Sequence, residues 1–117
     1  MKKAMISQPM NGKTEEEILS QRTKAMTYLY KRDYEIINNY FTDDQIKSMM
    51  LNTKIAPKDY NLFSKPLYYL AKSLELMAFC DTAYFCNGWE NARGCRIEHE
   101  AARAYGLEII YEKDIED

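Results

Sequence analysis

A chain of 117 residues that is 46% hydrophobic and 29% charged has the balance of one soluble globular domain with a single core. Its formal charge of -2 comes from scattered charges, so there is no basic field for phosphate backbones and no nucleic-acid polymer is expected as a partner. No apolar run approaches the roughly 20 residues that span a bilayer, which argues against a membrane partner.

The N-terminal stretch MKKAMISQPMNG reaches Ser7, Gln8 and Pro9 too early for a signal-peptide core, so a cytoplasmic location is expected. Ala4 to Ser7 is a short apolar run ended by Gln8, Pro9, Met10, Asn11 and Gly12, which predicts a strand entering a loop. Thr14-Glu15-Glu16-Glu17 is a capping-box pattern, and Ile18, Ala25, Met26 and Leu29 follow at helical spacing. Tyr34 to Ile37 predicts a second short strand, followed by Asn38-Asn39. Residues 40–65 read as a variable excursion, with a short helix from Thr42 through Leu51 and a break at Pro57.

Pro66 suits the first turn of a second long helix with Leu67, Leu70, Leu74 and Met77 on one face, ending near Cys80. Thr82 to Cys86 is a continuous β-prone run, the mark of a strand buried on both faces of a parallel sheet. A loop and a helix follow, Gly106 stops that helix, and Leu107 to Tyr111 is a last strand. Cys80, Cys86 and Cys95 show no CxxC spacing, so they read as buried small hydrophobes and neither a metal site nor a disulfide is expected.

Strands alternating with helices predict one α/β domain over residues 1–117, with a parallel sheet of four or five strands and helices on both faces. Such sheets bind ligands beyond the carboxyl ends of their strands, where the strand order reverses. The loops Gln8 to Lys13 and Asn87 to Arg93 both leave strand ends, and they flank one crevice if their strands are neighbours.

On the helix after the second loop, a wheel centred on Ile97 gathers Ala101 and Ala104 against the sheet, turns Arg96, His99 and Arg103 outward, and leaves Glu98 on the border. Side chains lean toward the helix N-terminus, so the Glu98 carboxylate is expected at the crevice mouth as a nucleophile. Pairing of Glu98 with Arg93 or Arg96 on a solvated surface fits the same pattern. Arg93, Gly94 and the loop amides can receive a phosphate or a polar sugar. Ser7, Gln8, Pro9, Met10, Asn11 and Gly12 line the pocket from the first loop; Asn87, Trp89 and Asn91 do so from the second. Trp89 stacks on a ring or caps the core. Glu98, His99 and Glu100 are consecutive and share no helix face, which excludes them as a metal set. No cofactor is expected.

The segments ISQPMNGKTEEEI, LYYLAKSLELM and CDTAYFCNGWENARGCRIEHEAARAYGLEII resemble successive blocks of a small domain family of uncharacterised function found in phage and bacterial genomes. That family is similar to nucleoside 2-deoxyribosyltransferases and deoxynucleoside monophosphate N-glycosidases. The resemblance implies a flavodoxin-like or Rossmann-like fold, sites completed by neighbouring subunits, and a glutamate nucleophile that falls on Glu98. It also sets Met5 where those enzymes have a tyrosine and Ser73 where they have an assisting aspartate. Asp81 matches a structural acid, and Glu90-Asn91 falls where the base is bound.

The expected function is therefore cleavage or transfer of an N-glycosidic bond in a nucleoside or nucleotide by a homo-oligomer. A small domain also has only a shallow site unless a second subunit walls it off, which favours self-association. The alternative is a non-catalytic protein that binds or sequesters a nucleotide-derived signal. Glu98 favours the enzyme; Met5 and Ser73 favour the binder.

Overall fold

β1 (Lys3–Ser7) is the centre of the protein because four of its five residues are apolar or small and every one of those four is buried. The structure is a computed structural model that describes residues 1–53 and 64–115. β1 is followed by α1 (Glu15–Lys31), β2 (Glu35–Ile36), α2 (Asp43–Leu51), α3 (Lys65–Met77), β3 (Thr82–Phe85), α4 (Arg93–Ala104) and β4 (Glu108–Tyr111). The expected break at Pro57 lies outside the described residues.

The strands form one parallel sheet in the order β2-β1-β3-β4. β1 leads outward to β2 and β3 leads outward to β4, so the two connections diverge between adjacent strands. Divergence of this kind opens a crevice at the carboxyl ends of β1 and β3.

Alternation along the strands divides the core between two layers. Ala4 and Ile6 of β1 join Tyr84 and Cys86 against Ala25 and Leu29 of α1. Met5, Ala83 and Phe85 face the other way, onto Met77 at the end of α3 and Ala102 of α4. Leu29 is fully buried, and its truncation to alanine costs about 2–5 kcal/mol by the usual range for such sites. The expected arrangement of helices on both faces of a parallel sheet is what forms.

Local signals set the helix boundaries. Thr14 accepts from the Glu17 N–H while the Glu17 carboxylate accepts from the Thr14 N–H, closing the predicted capping box. Thr42 and Gln45 repeat the device at the start of α2. Ser64 caps α3, with Pro66 in its first turn. Leu67, expected on the packed face of α3, remains 63% exposed.

Candidate active site

Ser7 ends β1 on the same side of the strand as Met5, facing α3 and α4, and its side chain meets Glu98. Ser7 Oγ donates to Glu98 Oε1 at 2.7 Å. On the other carboxylate oxygen, Ser73 of α3 donates its hydroxyl to Glu98 Oε2. Three elements from opposite ends of the chain therefore converge on one carboxyl group. Glu98 is 6% exposed. Burial pushes its pKa above the ordinary carboxylate value, opposed by the hydroxyl donors of Ser73 and Ser7, which favour the ionised form.

Behind Ser73 stands Asn39, just after β2. Its Nδ2 donates to the Ile6 carbonyl at 2.8 Å and to Ser73 Oγ at 3.1 Å. Its Oδ1 accepts from Arg22 Nη2 at 3.1 Å, and Asn38 Oδ1 accepts from the same nitrogen at 3.4 Å. Arg22 belongs to α1 on the far face of the sheet, is buried, and lies over the Tyr40 ring at 5.3 Å. Neither Asn39 nor Arg22 was among the expected site residues. For Arg22 a signal existed: it shares the Arg22, Ala25, Leu29 stripe that faces the core.

The inward face of α4 differs from the expected one. Cys95, Glu98 and Ala102 are buried, whereas Ile97 is 44% exposed and Ala104 lies in solvent. Polarity misleads here, because Glu98 and His99 find partners inside and the apolar Ile97 stripe is left outside. With Arg96, Glu100 and Tyr105, that stripe lines a shallow hollow of about 460 Å³ on the outer surface of α4, away from Glu98. His99, expected to point outward, stacks on Trp89 with ring centres 4.1 Å apart, meets Phe85 edge-on at 5.0 Å, and places Nε2 2.6 Å from the Tyr111 hydroxyl. Trp89 thus lies against the core on its His99 side. Burial, and then Arg103, lower the His99 pKa from its ordinary value.

The first loop splits between two roles. Gln8 turns to the α1 side, where Nε2 donates to the Ile18 carbonyl at 2.6 Å and to Gln21 Oε1 at 3.3 Å. Gln8 Oε1 is buried with no partner among the described residues. Pro9 is buried, the Met10 carbonyl accepts from the Lys13 N–H, and Asn11 and Gly12 are exposed.

In the second loop, Gly88 has φ of +93°, and a Cβ there would lie 3.4 Å from Pro9 Cγ, so the two loops touch. The Asn87 N–H donates to Glu112 Oε1 at 2.8 Å, and its carbonyl accepts from Gln21 Nε2 at 3.1 Å. Gln21 and Glu112, also absent from the expected set, thereby tie this loop to α1 and to the turn that follows β4. Asn91 and Arg93 are exposed at the start of α4, Gly94 is half-buried, and the Arg93 guanidinium makes no ion pair among the described residues.

The cysteines are passive: burial raises Cys95 to about 11 and Cys86 to about 12, so both remain neutral thiols. Asp81 accepts from the Lys3 N–H at 2.9 Å and holds the start of β1. Among the described residues no group of His, Cys, Asp and Glu comes together to hold a metal ion, and no helix is long and apolar enough to cross a membrane.

A parallel β2-β1-β3-β4 sheet with a buried, hydroxyl-bound carboxyl group at its strand-order reversal defines a small doubly wound α/β protein. The chain belongs to the family described as a domain of unknown function (DUF4406), whose match spans residues 2–111. No curated protein and no solved structure matches it.

Proposed function

We propose that this protein acts on a nucleoside or nucleotide, cleaving or transferring its N-glycosidic bond with Glu98 as nucleophile. The observation that carries this reading is the Glu98 carboxyl group beside the carboxyl ends of β1 and β3, with a hydroxyl donor on each oxygen. In the proposed reaction a Glu98 oxygen bonds to the anomeric carbon as the carbon–nitrogen bond breaks. The base leaves with the bonding pair and is protonated by solvent, and water or a second base then displaces the carboxylate from the sugar.

Arg93 and the backbone N–H groups of Gln8, Met10, Asn11 and Gly12, with Pro9 shaping the loop, would receive phosphate or sugar polar groups. Arg93 is exposed at the first residue of α4. The resemblance read in the sequence blocks, which leads to nucleoside 2-deoxyribosyltransferases, implies the same substrate class. A homo-oligomer, a cytoplasmic location and the absence of a cofactor are parts of this proposal.

One observation favours a second reading, a non-catalytic nucleotide binder. The group on Glu98 Oε2 is the neutral hydroxyl of Ser73, which the resemblance sets against an acid, and the buried Met5 supplies no hydroxyl. Incubation with deoxynucleosides, deoxynucleoside monophosphates and NAD-like compounds separates the two. Release of free base that disappears in Glu98→Gln supports the enzyme, and retention of unaltered ligand supports the binder. The absence of both turnover and binding overturns both readings.

A further inference from the structure

We propose that Asn39 and Arg22 are positioning residues that aim the Ser73 hydroxyl at Glu98 through an ordered chain of donors crossing the carboxyl end of β1. The direction of the chain follows from what each group can do. A guanidinium only donates, so the Asn39 amide must turn Oδ1 toward Arg22 at 3.1 Å. A backbone carbonyl only accepts, so Nδ2 must face the Ile6 carbonyl at 2.8 Å. Two independent neighbours therefore give the same amide orientation.

The second hydrogen on Nδ2 then meets Ser73 Oγ at 3.1 Å. With that oxygen accepting from Asn39, the Ser73 proton is free to go to Glu98 Oε2, where the structure has it. Ser7 supplies the other oxygen from β1. A cation on one face of the sheet thus polarises a chain that ends on a carboxylate on the other face, and each link supports the ionised acceptor.

The groups that could disturb this chain are few among the described residues. Cys95, on the same helix as Glu98, meets the Ser7 hydroxyl, and Cys86, just after β3, interacts with Arg22. Burial keeps both thiols neutral. The Tyr40 ring lies under Arg22. From β1 and α3 Glu98 meets the hydroxyls of Ser7 and Ser73.

The functional meaning of the chain rests on Glu98 being the reactive group, but its test needs no substrate. The intact protein is labelled with 13C at the glutamate carboxyl carbons and titrated by NMR, with Glu108 as an internal reference far from the chain. Loss of one hydroxyl donor to a carboxylate corresponds to about one pH unit.

Asn39→Ala is expected to raise the Glu98 midpoint by up to about that much, and to add no rise in a Ser73→Ala background. Asn39→Leu is close in volume, adds no charge and removes the donor to Ser73, so it is expected to raise the midpoint as the alanine variant does. It also keeps the inference falsifiable if the alanine variant fails to fold. An unmoved Glu98 midpoint in either variant overturns the inference, as does an Asn39→Ala shift that is equally large without Ser73. If the midpoints move as expected but no base is released, only the proposed reaction fails. If base is released while the midpoints stay still, only the donor chain fails.

Discussion

Ser7 and Glu98 stand 91 positions apart in the chain and meet through a 2.7 Å hydrogen bond in the interior. The contact joins the last residue of the central strand to the second turn of the final helix, across the layer that α3 and α4 share. It also puts a carboxyl group where its ionisation is coupled to folding.

That coupling has a sign. The folded Glu98 pKa is raised, so the folded state keeps a proton that the unfolded chain releases at its ordinary value near 4.5. Stability is therefore greatest below that value and falls as pH rises toward the folded pKa. Urea midpoints measured from pH 4 to pH 8 should show this decline in the wild type and a shallower one in Glu98→Gln, whose side chain does not titrate. An equal slope in both proteins would show that Glu98 is not the source.

Ser7→Ala removes a donor from the same carboxylate. Above the Glu98 midpoint, where the group is ionised, the loss should be about 1.5–3 kcal/mol, the usual worth of a hydrogen bond to a charged group. Near pH 4, where Glu98 carries its proton, the loss should be smaller. Chemical unfolding at the two pH values measures the difference, and a larger loss at pH 4 would contradict the assigned direction of the hydrogen bond.

His99 gives the single tryptophan a titration to report. The folded His99 pKa is lowered, so the fold resists protonation that the unfolded chain accepts near the ordinary 6.5. The stability contribution is complete above that value and is lost as pH falls through the lower folded pKa. With Trp89 stacked 4.1 Å from the imidazole, its fluorescence should change with a midpoint below 6.5, and His99→Leu should remove the change. Fluorescence that is flat through this range in the wild type would contradict the stack.

Gly88→Ala tests the meeting of the two crevice loops. The backbone there is left-handed at φ +93°, and the added methyl would press on Pro9 Cγ at 3.4 Å. A left-handed non-glycine residue costs about 1–3 kcal/mol, so the variant should unfold at lower urea. Gly94→Ala, where a Cβ meets nothing within 4 Å and the backbone is helical, should be neutral or mildly stabilising.

Thr14→Ala should cost about 1 kcal/mol by opening the capping box with Glu17, with a fall of a few degrees in Tm. Calorimetry on the variant measures it. An unchanged Tm would mean that α1 is held by its packed face alone.

Most of the fold was legible in the sequence because its signals are local. The capping box at Thr14, the continuous β-prone run Thr82 to Cys86 and the strand-ending loop at Gln8 each act within a few residues, and each forms as expected. The face of α4 was not legible. A wheel ranks residues by polarity, and by that rule Ile97 should turn inward and His99 outward. The opposite holds because Phe85, Trp89 and Tyr111 build an aromatic bed for His99, while Ser7 and Ser73 satisfy Glu98.

By itself the sequence determined the parallel alternation of strands and helices, the two loops at the strand ends, and Glu98 as the group to examine. These depend on propensity, capping and periodicity, which the chain carries in short windows. Only the folded sheet brings the Ser7 and Ser73 hydroxyls onto Glu98 and sets Asn39, after β2, and Arg22, of α1, behind Ser73. The reason is physical: a buried polar group is stable only where donors and acceptors from distant parts of the chain meet it, and those meetings exist only after the sheet is assembled.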